Sequence, residues 1–406
     1  MDMRMTTHAQ RQGYLLPRVI YGNRGDLASR WALLRVLRTL GLEQVVVFRD
    51  SPEDVPEVGY TQVPYGRLRN LLPTKQGARL LREASHIIWG VGLDIQDDSS
   101  LAKLVYLNVL FDRYRRAGLT IWCLFQGAGP LKTSPGRWLT RRLLKRIDCF
   151  VARDPGTYQL LEPLSEPGTC LLGHDAIFLP GFTKETKADP CADSLFDTDQ
   201  PVIGLNIRQW YHFSSNVIPY QFATRRYRER SMAEMEKLEQ ATQDLVRRLR
   251  DTFDARVVLL SAYQPDVQDW EDDLFWLLRL HDQLDDPDVR LADWELSMPA
   301  YFNLMSRLDV MIGMRLHSTL IALRHGVPAL NISYTLKGRD IMMHLGLGEW
   351  VVDLEDFVVD STCVFSKAAA ILDDLQGQRA RTANAVQRAV RMNQELLETL
   401  LKEKRA

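Results

Sequence analysis

The sequence has few cysteines and no long apolar run, and each shortage excludes a class of protein. Its five cysteines are odd in number and no two lie within four residues of each other, which indicates neither a disulfide framework nor a cysteine-rich zinc site. No apolar stretch approaches the roughly 20 residues that span a bilayer, and the polar stretch Met1–Pro17 lacks the apolar core of a secretory signal. The sequence therefore predicts a cytoplasmic protein.

Net charge is also nearly absent. The 51 Lys and Arg residues are balanced by 52 Asp and Glu residues, so no overall field attracts nucleic acid, and no nucleic-acid partner is predicted. The local exception is a basic run at helical spacing, formed by Arg137, Arg141, Arg142, Lys145 and Arg146. A solvated helix face is the ordinary interpretation of such a run, and peripheral contact with anionic lipid at the inner membrane is the alternative.

The length and the pattern of apolar residues predict two α/β domains. The chain has 406 residues, 46% of them hydrophobic, and is longer than a single domain with one hydrophobic core usually is. Short apolar strands alternate with amphipathic helices, which is typical of βαβ units and a parallel sheet; the segment 18–21 is predicted as a strand end and 27–40 as a helix. The alternation stops in a polar stretch before residue 200 and then restarts.

These boundaries give the predicted organisation. The fold class is α/β, with two Rossmann-like domains facing a cleft. Residues 1–185 form the first domain, 186–200 a linker, 201–370 the second domain, and 371–406 a helix that packs back on the first.

Four loops lie where parallel strands lead into helices, which is where ligands collect in such sheets. In Gly22–Asp26, two glycines let the backbone approach a ligand, and Asp26 either caps the helix or serves as a carboxylate. In Gly90–Asp98, the acids Asp97 and Asp98 form either an acid/base patch or a solvated helix start. A plain strand-to-helix turn is the alternative for the first loop, and a solvated helix start is the alternative for the second.

The other two loops carry stronger signals for anion binding. The glycines of Gln126–Leu131 permit close approach of an anion or a sugar, or make a tight turn. Gly313–Ser318 places Arg315, a planar fork suited to carboxylate or phosphate, two residues before His317, whose imidazole is a residue type suited to proton transfer. A buried structural histidine beside an ion-paired arginine is the alternative for this loop.

Taken in order, the loops resemble the motifs of the polysaccharide pyruvyl transferase family. The matching positions run from about residue 20 to 347 and are Gly22, Asn23, Gly25, Asp26, Gly90, Gly92, Asp97 or Asp98, Gln126–Leu131, Arg153, Asp154, Thr157, Asp175, Ala176, Asn206, Arg208, Arg315–Ser318, Gly326–Pro328, Ser333, Tyr334 and Lys337. The resemblance implies a glycosyltransferase-B-like fold and a metal-independent transfer without a cofactor. It also implies phosphoenolpyruvate as donor and a polysaccharide, glycan or lipid-linked sugar as acceptor.

A donor with both a carboxylate and a phosphate calls for several cationic groups, and Arg208, Arg315 and Lys337 are the candidates. The family motifs add further donor-binding positions, which are Asn23, Gly129, Arg153 and Ser318. The resemblance makes the second domain the donor side and the first the acceptor side.

For the chemistry, His317 is the candidate general acid/base, with Asp26 or the pair Asp97 and Asp98 deprotonating the acceptor hydroxyl. Two alternatives stay open: a nucleotide-sugar glycosyltransferase of the same fold, and a non-catalytic glycan-binding subunit.

Overall fold

The computed structural model describes residues 13–18, 20, 22–39, 45–49, 61–64, 74–97, 101–180, 182, 193–209, 225–263 and 273–402. The described chain forms two compact units. The first consists of residues up to 20 and residues 29–182, and the second consists of residues 22–28 and the chain from residue 193 onward.

The first unit contains a parallel sheet with helices between its strands. The described strands are β1 (Tyr14–Leu16), β2 (Val45–Arg49), β3 (Thr61–Pro64), β4 (His86–Gly90), β5 (Leu93–Ile95), β6 (Thr120–Ala128), β7 (Cys149–Ala152) and β8 (Cys170–Leu172). The described helices are α1 (Arg24–Thr39), α2 (Lys75–Glu83), α3 (Leu101–Arg116), α4 (Ser134–Leu144) and α5 (Pro155–Leu161). The first residues of α1, up to Ala28, group with the second unit.

The strand order of this sheet is β3-β2-β1-β4-β6-β7-β8, with β5 paired to β6, and every described pairing is parallel. Strands β6 and β7 are buried almost throughout, as expected where helices cover both faces of a parallel sheet. Side-chain caps begin several of the helices; for example, Thr133 accepts from the N–H of Gly136 at α4, and Asp154 accepts from the N–H of Thr157 at α5.

The second unit repeats this architecture. Its described strands are β9 (Val202–Asn206), β10 (Arg256–Leu259), β11 (Val289–Leu291), β12 (Val310–Gly313), β13 (Ala329–Ser333) and β14 (Val351–Asp353). Its described helices are α6 (Arg225–Phe253), α7 (Leu274–Leu284), α8 (Met298–Arg307), α9 (Leu316–Arg324), α10 (Leu336–His344), α11 (Leu354–Val359), α12 (Thr362–Asp373) and α13 (Leu375–Lys402).

All pairings in the second sheet are parallel, in the order β11-β10-β9-β12-β13-β14. Each sheet therefore reverses its chain order at one strand, β1 in the first unit and β9 in the second. This is the doubly wound Rossmann pattern, and it confirms the predicted fold class of two Rossmann-like α/β domains.

The C-terminal helix α13 has described contacts within the second unit. Arg379 donates to the carbonyl oxygen of Leu308 (2.9 Å) and pairs with Asp309 (3.1 Å), and Arg381 stacks on the ring of Trp350. Packing of this helix against the first domain stays a prediction. None of the described helices combines the length and the apolar character that crossing a membrane requires.

Candidate active site

The carboxyl ends of β9, β12 and β13 bring three segments that match the family motifs to one edge of the second sheet, and one of them is the predicted loop Gly313–Ser318. These parallel strands end at Asn206, Gly313 and Ser333, and β9 lies at the point where the chain order reverses. Open α/β sheets bind their ligands at this position, because loops diverge there and helix N-termini point toward the ligand.

Asn206 fixes the loop between β12 and α9. Its side-chain oxygen accepts from the N–H of Arg315 (3.1 Å) and its carbonyl oxygen accepts from the N–H of Met314 (2.9 Å). Its amide nitrogen donates to the carbonyl oxygen of Leu260 (2.7 Å), which follows β10. One buried asparagine thus ties three strand ends together and sets where Arg315 leaves the sheet.

Arg315 forms a buried, bidentate ion pair with Asp273. Its Nε lies 3.0 Å from Oδ1 and 3.2 Å from Oδ2 of the carboxylate, and its Nη2 lies 2.6 Å from Oδ1. Burial acts to lower the pKa of Arg315, but the neighbouring carboxylate outweighs burial, and the pKa is raised above its ordinary value. The charge of Arg315 is therefore permanent and is compensated within the protein.

Asp273 is a site residue that the sequence analysis missed. It accepts from Asn206 (3.3 Å) and from the backbone N–H of Ala262 (3.3 Å) in addition to Arg315, and its side chain is fully buried. The available signal was its position as the last acid before the apolar run that begins α7. Nothing local distinguishes it from the acids that precede it.

The loop at residues 22–28 lies against this cluster within the second unit. Asn23 forms an isolated antiparallel bridge with Tyr263, and its amide nitrogen donates to the Tyr263 hydroxyl (3.3 Å). The Tyr263 ring in turn lies under the Arg315 guanidinium, 4.4 Å from its Cζ. We call Asn23, Tyr263, Asp273, Arg315 and His317 the carboxyl-edge cluster.

Arg24 anchors the same loop. It is 1% exposed, and its guanidinium donates to the carbonyl oxygens of Trp294 and Leu296, at 2.7 Å in each case, while it stacks over the ring of Tyr301. Burial lowers the pKa of Arg24, against the opposing influence of Tyr301 and Asp293. The residue at the variable position of the Gly-Asn-x-Gly-Asp motif is thus a structural anchor that the sequence analysis did not single out.

Asn23 is the N-cap residue of α1. The Asn23 side-chain oxygen accepts from the N–H groups of Gly25 (2.9 Å) and Asp26 (3.2 Å). This cap is the role considered for Asp26, which instead lies half-buried in the first turn of the helix.

Gly25 packs directly on His317. A Cβ atom at Gly25 would overlap the Cβ and Cγ of His317 and would lie 2.6 Å from its Nδ1. Only glycine therefore fits at this position, and the backbone of the first motif forms one wall of the histidine's surroundings. His317 is half-buried in the first turn of α9.

Arg208 differs from Arg315 in its partners. Its Nη1 donates to the Tyr334 hydroxyl (2.7 Å), its Nε donates to the carbonyl oxygen of Gln209 (3.1 Å), and its Cζ lies 4.9 Å from the centre of the Tyr334 ring. Both hydrogen-bond partners are neutral, and within the described part of the chain no carboxylate pairs with Arg208. Tyr334 also contributes to the raised pKa of Arg315, which indicates that this pair lies near the carboxyl-edge cluster.

Two further predicted residues lie at helix starts on the same edge. Ser318 is buried, and its N–H donates to the carbonyl oxygen of Arg315 (2.9 Å). Lys337 is half-buried at the second position of α10. The second unit thus holds Asn23, Asp26, Arg208, Arg315, His317, Ser318 and Lys337.

The remaining predicted residues belong to the first unit. Asp97 accepts from the N–H groups of Lys132 and Thr133, at 2.7 Å in each case, and from the Thr133 hydroxyl (2.6 Å). Burial acts to raise the pKa of Asp97, but these hydrogen bonds outweigh it and the pKa lies below its ordinary range. The contacts give Asp97 a structural task at the start of α4. Asp98 lies outside the described residues.

The acid loop of the first unit is also internally paired. Asp94 contacts Arg18 (2.9 Å), Lys103 (2.7 Å) and the indole nitrogen of Trp89 (2.9 Å). Gly92 has φ of 101°, and any side chain there would overlap the Arg18 guanidinium. This glycine is therefore required by the packing of the loop itself.

Arg153 and Gly129 also have contacts within the first unit that account for their positions. Arg153 pairs with Asp175 (3.1 Å) and lies against Gly127, where a Cβ atom would come within 2.9 Å of its Nε. Gly129 donates to the carbonyl oxygen of Ile95 (2.7 Å) and leaves room for the side chain of Gln96. No group of three or more His, Cys, Asp or Glu side chains within the described residues is arranged to hold a metal ion.

The two parallel sheets place the protein in a structural class, the glycosyltransferase-B-like proteins. A glycosyltransferase from Rickettsia africae is similar over 96% of this chain and 99% of its own, with a TM-score of 0.57 and 12% identity. HepE from Anabaena, in complex with UDP and glucose, is similar over 96% and 99%, with a TM-score of 0.55 and 13% identity. These likenesses concern the fold.

The chain belongs to the polysaccharide pyruvyl transferase family, whose family model matches residues 23–335. The amylovoran biosynthesis protein AmsJ of Erwinia amylovora is 32% identical over 84 residues. That match covers 21% of this chain and 20% of AmsJ.

Proposed function

We propose that the protein transfers the pyruvyl group of phosphoenolpyruvate to two hydroxyls of a saccharide and so forms a cyclic pyruvate ketal. Family membership supports the reaction class. The observation that carries the assignment to a site is the assembly of Asn23, Arg208, Arg315 and His317 at the carboxyl edge of the second sheet.

The donor is held first by Arg208. Its guanidinium has only neutral described hydrogen-bond partners, so its positive charge is available to a carboxylate or a phosphate. Arg315 is compensated by Asp273 and acts as a positioning residue that keeps the loop before α9 in place. Lys337 supplies a second cation from the start of α10.

The reaction needs one proton transfer to carbon and two additions. The methylene carbon of the donor gains a proton from His317, one sugar hydroxyl adds to the adjacent carbon, and phosphate leaves. The second hydroxyl then closes the ring. His317 regains its proton from one sugar hydroxyl, and the proton of the other hydroxyl ends on the released phosphate, so the atoms balance without an oxidant.

We assign Asp26 as the general base that deprotonates the acceptor hydroxyl. It follows Gly25, which packs on His317, and it is half-buried in the first turn of α1. The acceptor class is a glycan or a lipid-linked saccharide, and acceptor binding is assigned to the first unit.

The test is turnover with defined substrates. The purified protein is incubated with phosphoenolpyruvate and a panel of acceptor glycans, and both released phosphate and the pyruvate ketal in the product are measured. The same panel with nucleotide sugars gives the comparison. We expect phosphate release that depends on the acceptor, and turnover with nucleotide sugars alone would overturn the proposal.

A matched pair of variants assigns the chemistry to the site. His317→Gln removes the acid/base group and should lower kcat roughly 10²–10⁴-fold with the fold intact. His281→Gln alters a partly exposed histidine on α7 and should leave kcat unchanged. Equal rates for the two variants would remove His317 from the mechanism.

A further inference from the structure

The helices α3 and α4 of the first unit expose apolar and basic side chains side by side. Trp138 on α4 is 59% exposed, and Val105 and Val109 on α3 are 48% and 52% exposed. Single exposed apolar side chains are ordinary on a protein surface, but three on one pair of helices form a group, and such groups mark interaction sites.

The three side chains lie on the same side of the helix pair. Asn108 of α3 donates to the carbonyl oxygen of Leu139 on α4 (3.0 Å), and Asp112 pairs with Arg142 (3.6 Å), so the two helices run side by side. Val109 lies one turn before Asp112, and Trp138 lies one turn before Arg142. The exposed apolar groups are therefore neighbours.

Exposed cations lie on α4, the helix that carries Trp138, and on its flanks. The exposed basic residues of α4 and its flanks are Lys132, Arg137, Arg141, Arg142 and Lys145. The Arg142 guanidinium lies 5.7 Å from the centre of the Trp138 ring. Among the described residues, no carboxylate pairs with Arg137, Arg141 or Lys145, and the nearby acid Asp112 is occupied by Arg146 and Arg142.

We propose that this α3–α4 surface, defined by Val105, Val109, Trp138 and the five exposed cations, docks on an anionic lipid surface. Charge complementarity selects a negatively charged partner in a protein whose net charge is only −1. The aliphatic valines select lipid over nucleic acid, because they can enter the acyl boundary but offer no ring on which a base can stack. Tryptophan and long basic side chains are suited to the headgroup level.

Docking at this surface would bring the first unit to a membrane that carries a lipid-linked saccharide. The inference does not rest on pyruvyl transfer, since vesicle binding is measured without donor or acceptor. Its failure would leave the proposed reaction with a glycan that is not attached to lipid.

The test is cosedimentation of the full chain with vesicles. Binding is expected to vesicles of mixed phosphatidylcholine and phosphatidylglycerol, to fall as salt is raised, and to be weak with phosphatidylcholine alone. Arg141→Gln/Arg142→Gln should weaken partitioning into the vesicles roughly tenfold to thirtyfold. Each of the two cations contributes a severalfold increase in affinity for an anionic surface, and the two effects multiply. Trp138→Ser should weaken binding even at the salt concentration where the arginine effect has disappeared.

The chain offers a matched control in another pair of exposed, adjacent arginines. Arg247→Gln/Arg248→Gln on α6 removes the same charge from the second unit and should bind as the wild-type protein does. Absence of binding to anionic vesicles at low salt, an equal loss in the control, or preferential binding to a single-stranded oligonucleotide would each overturn the proposal. Thermal unfolding confirms that each variant is folded, as expected for exposed positions.

Discussion

At the residue scale, the two arginines assigned to one anionic donor have different surroundings. Arg315 is buried and its charge is balanced by Asp273, while Arg208 contacts a phenol and a backbone carbonyl. A buried guanidinium that is paired with a carboxylate fixes the position of its loop. A guanidinium with neutral partners can bind an anionic ligand through its charge. We therefore propose that Arg208 contributes affinity for the donor and that Arg315 positions the loop.

Asp273→Asn tests the positioning role. The substitution keeps the shape of the side chain but leaves the charge of Arg315 buried and unbalanced, so we expect the free energy of unfolding to fall by about 3–5 kcal/mol. Denaturant unfolding measures it. The control Asp244→Asn alters an exposed acid on α6 and should change stability by less than about 0.5 kcal/mol. A stability loss no larger than that of the control would contradict the structural account of this pair.

Gly25→Ala tests the contact between the first motif and the histidine. The added methyl group would overlap His317, so we expect loss of transfer activity and a decrease in stability of about 1–3 kcal/mol from overpacking.

A second substitution separates the clash from other effects of alanine. In the double variant Gly25→Ala/His317→Gly the overlapping atoms are gone, and we expect stability close to that of His317→Gly alone, still without activity. Thermal unfolding of the three variants provides the comparison. Equal destabilisation by Gly25→Ala in both backgrounds would show that the contact is not the cause.

At the scale of secondary-structure elements, Asp94 connects two strands and a helix of the first unit through its side-chain contacts. It receives Arg18 from beyond β1, Trp89 from β4 and Lys103 from α3. Burial acts to raise the pKa of Asp94, but Arg18 and Lys103 outweigh it and hold the pKa well below its ordinary range. A carboxylate with a depressed pKa stabilises the fold above its unfolded-state pKa, and that contribution is lost as the pH falls.

Asp94→Asn should therefore lower stability near pH 7 by about 2–4 kcal/mol, since Lys103 is partly exposed and part of the interaction is screened. The wild-type protein should lose stability as the pH falls below about 4, and the variant should lose less over the same range. Unfolding free energies measured at neutral and acidic pH check this. Parallel pH profiles for the two proteins would refute it.

The sequence predicted the elements well where local patterns define them. The run predicted as a helix over 27–40 is α1, Arg24–Thr39, which begins earlier because Asn23 provides its cap. The strand end predicted over 18–21 falls partly outside the described residues, and its described members Arg18 and Ile20 lie outside any strand. β1 is Tyr14–Leu16, which ends directly before Pro17, a residue with no N–H to continue the ladder.

The partners of the site residues could not be predicted, because they come from distant parts of the chain. Asp273 is 42 residues from Arg315, and Tyr263 is 240 residues from Asn23. Their meeting depends on the parallel order of β10, β9 and β12, which no local pattern encodes. Glycine in the motifs suggested space for a ligand, but several of these glycines make room for side chains of the protein itself.

At the scale of the whole molecule, the protein combines a fold that resembles those of sugar-processing enzymes with membership of the polysaccharide pyruvyl transferase family. The two sheets alone fit either a nucleotide-sugar enzyme or a pyruvyl transferase. We propose that the residues at the carboxyl edge of the second sheet select a compact polyanion. The described hydrogen-bond partners of Arg208 are neutral, and His317 presents an imidazole in the first turn of α9.

The central claim is that phosphoenolpyruvate binds at this edge, with Arg208 as its principal cation. Isothermal titration calorimetry of the wild-type protein and of Arg208→Gln tests it most directly, with Arg247→Gln as the control. We predict binding by the wild-type protein and the control, and affinity weakened roughly tenfold to hundredfold in Arg208→Gln. Absence of binding by the wild-type protein, or the same affinity in all three, would contradict the account.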